Sequence, residues 1–284
     1  MNEKKTLITT HTGEPSQPVR IYYQVTKPKT VLGVFQKLRC VYFEQPLKRW
    51  RWTYEHEAKK LRFEMSYSKI PKEAKPIVLG DFFWRGEGEL LLEVRSFDRA
   101  IKAIDFFEKR INSRAAQATK LRVVNRFFAA SESNVEQLLV GGNGEETSPC
   151  STPSESPSPY DRFFDGDEVY IPDPLQLLKE TEEISQSQSN EEESLKAGLE
   201  YLEAKFKEKM PEIEEIPLDF YREGTLDLNR LQLALTLRNI EASQHFAGDE
   251  SFSQYDLIEQ MAESLVELIP KDQKNQIQGV EEDE

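Results

Sequence analysis

Charge is divided unevenly along this chain, and the division falls at Ala130. Residues 1–130 carry 14 Lys and 12 Arg against 14 Asp and Glu, a net of +12. Residues 131–284 carry 11 basic and 37 acidic residues, a net of −26, so the overall value of −14 hides two stretches of opposite sign. All three Trp lie in the basic stretch. Such an asymmetry constrains partners and self-contact more than any short motif in the chain. At 284 residues the chain holds one large domain or two smaller ones.

Between the two stretches, residues 141–159 consist mainly of Gly, Ser, Thr, Pro and Glu, which bury too little apolar surface to offset their ordering entropy. The sequence therefore divides into a flexible start (1–17), a basic domain (18–130), a linker (131–159), an acidic helical region (160–272) and an acidic tail (273–284). The linker holds four Ser/Thr-Pro sites, at Ser148, Thr152, Ser156 and Ser158, where phosphate would add further negative charge.

Within the basic domain, Val19, Ile21, Tyr23 and Val25 alternate with polar residues and predict a first strand. Val31, Val34, Phe35, Leu38, Val41 and Tyr42 recur at helical spacing up to Pro46. Period two then returns: Trp50, Trp52 and Tyr54 share one face, Arg49, Arg51 and Thr53 the other, and Leu61 to Tyr67 alternates in the same way, which predicts a hairpin. A second hairpin is expected from Ile77 to Arg95 around Arg85–Gly88. Ser96 stands at the cap position of an amphipathic helix with Phe106 on its polar side, and Leu121–Phe128 closes the set. The expected fold is α+β, in the order β-α-β-β-β-β-α-β with a mostly antiparallel sheet, followed by a small all-α acidic module. In that module a helix is expected from Pro174, and Leu226–Ile240 carries two apolar stripes that both need cover, which suggests a homodimer through 226–269.

No phosphate loop, dinucleotide fingerprint, nucleophile elbow or zinc motif is present, so the reading is non-enzymatic, with no catalytic residues, no cofactor and no metal site. Asp165–Glu168 opens like a calcium loop but has Tyr170 where glycine is needed and Gln176 in place of the closing Glu. Two cysteines, Cys40 and Cys150, and no apolar run long enough to span a bilayer fit a reduced, cytoplasmic setting. The candidate binding residues are Arg49, Trp50, Arg51 and Trp52 on the first hairpin, Lys59, Lys60 and Arg62 beside them, and Phe106. Arginines pair with carboxylate or phosphate and exposed aromatics stack on bases. The expected function is that of an interaction or regulatory protein with another protein as partner; the alternatives are RNA binding by residues 18–130 and an enzyme whose site follows no motif.

Overall fold

The computed structural model describes residues 5–86, 88–132, 160–164, 170, 174–186, 191–208, 210–218, 221–222, 225–226, 228–257 and 260. The linker phosphate sites, Asp165–Glu168, the acidic tail and most of residues 258–269 lie outside them. The described chain forms two compact units, residues 1–172 with 211–246, and residues 173–210 with 247–284.

The first unit is built on a seven-stranded antiparallel sheet with spatial order β2-β3-β4-β5-β1-β6-β7. Its strands are β1 (Val19–Val25), β2 (Val41–Glu44), β3 (Arg49–Thr53), β4 (Val78–Arg85), β5 (Glu89–Val94), β6 (Ala116–Val124) and β7 (Ile213–Pro217). Helices α1 (Pro28–Lys37), α2 (Phe97–Glu108) and α6 (Leu228–Ala247) bury apolar residues in one core with the strands. Phe35, Phe107, Leu231 and Leu235 meet Ile21, Phe82, Leu92 and Leu121 there. The expected α+β class holds.

Helix α1 starts with Pro28 in its first turn, where a missing N–H costs nothing, and α2 starts where the Ser96 hydroxyl accepts from the Arg99 amide at 3.1 Å. At Gly80 in β4 an added Cβ would lie 2.7 Å from the Glu93 carbonyl, so the close approach of β4 to β5 requires glycine.

Three local expectations change while the element order survives. Residues 41–44 are strand, not helix: α1 stops at Lys37, and Val41-Tyr42-Phe43 pairs with Trp50-Arg51-Trp52. The Gln45–Lys48 turn joins them, with Pro46 second and Lys48 at φ 47°. β2 therefore takes the place expected for 61–67. Those residues form no strand; three short 3-10 turns run from His56 to Ala74, and Phe63 reaches the core from an irregular segment. The last strand of the basic half is also displaced, to Ala116–Val124.

A larger difference lies beyond the linker. Residues 213–217 join the sheet beside β6, placing acidic-half chain in the body of the basic half. Lys120 and Arg122 pair with Glu215 at 2.9 and 2.8 Å, Arg126 with Glu212 at 2.9 Å, and Arg238 of α6 with Glu214 at 2.7 Å. Burial opposes ionisation of Glu215, but hydrogen bonds from Arg122 and Lys120 outweigh it and hold the carboxyl below the usual range. Charge complementarity between the halves is thus realised within a sheet. Of the two stripes on α6, Leu231 and Leu235 are in the core, whereas Leu233 is 58% exposed.

The second unit contains α4 (Pro174–Gln186) and α5 (Glu191–Phe206), which pack together. A Cβ at Gly198 would lie 2.7 Å from the Ser185 hydroxyl, and the Tyr201 phenol donates to Glu180. No helix among the described residues is long and apolar enough to cross a membrane.

Candidate functional site

The face of the sheet turned away from the helical core is charged. Strand registers bring Arg51, Asp81, Glu93, Arg20, Arg122 and Glu215 into one row across β3, β4, β5, β1, β6 and β7. Three opposite-charge contacts hold it: Arg51–Asp81 at 3.0 Å, Arg20–Glu93 at 2.6 Å and Arg122–Glu215 at 2.8 Å. Two like-charge neighbours remain, Asp81 opposite Glu93 and Arg20 opposite Arg122. Directly opposed like charges destabilise a sheet, so each junction calls for a compensating group.

A segment beyond the linker lies over the cationic junction. Tyr160 and the one-turn helix α3 (Asp161–Phe164) place Tyr160, Phe163 and Phe164 in a small second core with Val124 and Phe128. The Phe164 ring lies 5.1 Å from the Arg20 guanidinium, and the Phe164 carbonyl accepts from Arg122 at 2.7 Å. The Tyr22 ring lies 4.9 Å from Lys120 and 5.5 Å from Arg122. Ring faces and a carbonyl are the weakly negative groups that two adjacent guanidiniums favour.

At the anionic junction Arg95 supplies the counter-charge. It lines a cavity of about 470 Å³ together with Arg49, Arg51, Arg99, Asp81, Glu93 and Tyr160. Burial pushes the Tyr160 phenol up to about 12, against the opposing pull of Arg95, its hydrogen-bond partner. Burial likewise raises the Asp81 carboxyl above its ordinary value although Arg51 and Arg95 oppose this, and it lowers Arg99 to about 10.

The residues expected from sequence divide between this face and the core. Arg49 and Arg51 are on the charged face, but both are engaged by Glu44 and Asp81. Trp52 and Phe106 are buried, in tilted ring contact at 5.5 Å, with Arg110 lying 3.6 Å over the Phe106 ring. Neither presents an aromatic face to a partner. Trp50 packs against Phe35 and Phe43 at the core margin. Lys59, Lys60 and Arg62 are exposed, with Lys59 over the Tyr67 ring at 4.4 Å.

Sequence reasoning missed Arg20, Arg122 and Tyr160. The alternation in β1 marks Arg20 as outward-facing, yet its neighbours depend on strand pairing. Cys40 is buried, and burial together with Glu57 pushes its thiol up to about 12, which makes it a poor nucleophile. Among the described residues no group of three or more His, Cys, Asp or Glu is placed to hold a metal ion. No family model matches the chain, nor does any curated protein or solved structure.

Proposed function

We propose that this chain is a non-enzymatic interaction protein whose charged sheet face is a docking surface for a short aromatic segment, occupied in the free protein by its own Tyr160–Phe164. One observation carries the reading. After the Ser/Pro/Gly-rich stretch, the chain returns to bury Tyr160, Phe163 and Phe164 where two opposed arginines need a compensating partner.

Magnitude decides whether such a contact is regulatory. A Ser/Pro/Gly-rich sequence of roughly 29 residues would, as a random coil, span about 30 Å and give an effective concentration of order mM. A segment of intrinsic Kd about 0.1 mM would then be docked about nine-tenths of the time, and a partner peptide would face roughly a tenfold handicap. The free and docked states would therefore lie within reach of a moderate competitor. Nucleic-acid binding has less support, because the aromatic side chains that would stack on bases pack inward.

The test is a labelled peptide of residues 158–166 titrated with the wild-type chain and with Phe163→Ala/Phe164→Ala. The double variant frees the face, so it is expected to bind the peptide about tenfold more tightly than wild type, with its thermal transition retained. Equal binding by both proteins, or none by the variant, contradicts the docking reading.

A further inference from the structure

The cavity beside Tyr160 holds more guanidinium than carboxylate. Arg49 and Arg51 share Glu44 and Asp81 in a closed set of contacts at 2.6, 3.3, 3.2 and 3.0 Å. Arg20 takes Glu93 at 2.6 Å, and Arg99 reaches Glu14 at 3.8 Å. Among the described residues no carboxylate lies within 4 Å of Arg95. Among the described residues the cavity is thus lined by four guanidiniums, Arg49, Arg51, Arg95 and Arg99, against two carboxylates, Asp81 and Glu93, and the cation with no carboxylate within 4 Å is Arg95.

Arg99 adds a fully buried cation to the lining. Arg99, 1% exposed, lines the cavity, and its Nε has no hydrogen-bond partner, although Nη1 donates to the Val78 carbonyl and Nη2 to the Thr12 hydroxyl.

We propose that this cavity is a binding site for the anionic group of a small molecule, a carboxylate or a phosphate, anchored on Arg95. Its volume of about 470 Å³ is in the usual range of small-molecule sites, roughly 300–1,000 Å³. Hydrogen bonds from guanidinium to an anion are about twice as strong as neutral ones, so the ligand displaces the Tyr160 phenol as the acceptor on Arg95. The phenol stays neutral at physiological pH and adds no competing charge. Phe83 and Pro76 give the ligand an apolar wall. The cavity shares Tyr160 with the docking segment but anchors the anion on Arg95, so the peptide titration and the anion titration test the two readings separately.

The experiment is calorimetric titration of the full chain with inorganic phosphate and with benzoate, at ionic strength matched with chloride. Saturable one-site binding of at least one anion is expected, and which one binds identifies the ligand chemistry. Arg95→Gln is expected to weaken it at least about tenfold, the range of a charge-assisted hydrogen bond, while Arg114→Gln, at an exposed site outside the cavity, leaves it unchanged. No saturable binding of either anion, or equal affinity in Arg95→Gln, overturns the proposal. Should that variant not fold, the side-chain Nε–H resonance of Arg95 in the wild-type chain replaces it. A shift on titration at Arg95 but not at Arg114 supports the site, and a static Arg95 signal overturns it.

Discussion

Trp52→Ala is expected to lower the stability of the first unit by about 3–5 kcal/mol, the usual cost of truncating a fully buried aromatic. Trp52 is 0% exposed, with Phe106 and Phe107 at 5.5 and 5.3 Å, so the space it leaves is walled by rigid rings that cannot collapse into it. For a unit of this size the loss corresponds to a fall in Tm of about 10 °C, read by calorimetry or denaturant titration. Trp52→Phe keeps the ring contacts and also removes a buried indole N–H that has no acceptor, so it is expected to cost much less. A Trp52 that faced solvent as a stacking platform would give the opposite pattern, with stability unchanged within about 0.5 kcal/mol in both variants.

The second large effect concerns the middle of the charge row. Arg20 and Glu93 are each 2% exposed in their side chains and are held at 2.6 Å. Glu93→Ala leaves a buried guanidinium beside a second one, Arg122, and is expected to cost about 3–5 kcal/mol. The paired replacement Arg20→Met/Glu93→Leu removes both charges at similar volume, so most of that loss is expected to return. A double-mutant cycle by urea unfolding measures the coupling. If the double variant is as unstable as Glu93→Ala, packing rather than the uncompensated charge is the cause.

These variants also show where sequence reading reaches its limit. Parity along β3 correctly separates Trp50 and Trp52 from Arg49 and Arg51, because alternation is a property of one strand. Which of the two faces meets the helices is decided by α1 and α2, and the arginine face has partners of its own. The capping serine of α2 and the hairpin of β4 and β5 are equally local, and both are found where expected. The charge row is not legible, since it needs five strand registers at once. The same holds for β7, whose Glu214-Glu215 reads as solvated acidic chain until Lys120, Arg122 and Arg238 are brought beside it. Phe106 illustrates the remaining case. The helical wheel puts it on the polar side of α2, but the buried face is wider than the apolar stripe, and Phe106 joins the core with Phe107 and Trp52 while Arg110 lies over its ring.

The charge division at Ala130 thus has a structural use unlike that of two tethered modules. Part of the acidic stretch completes the basic sheet, and Tyr160–Phe164 covers the junction of Arg20 and Arg122. The most direct check is to introduce a site-specific protease site between Gly144 and Glu145, cut the folded protein there, and pass it over gel filtration in 1 M salt, where charge attraction reaches only about 3 Å. Strand β7 and helix α6 share a core with residues 19–124, so the two fragments are expected to elute together as one particle. Elution as separate basic and acidic fragments would contradict the account.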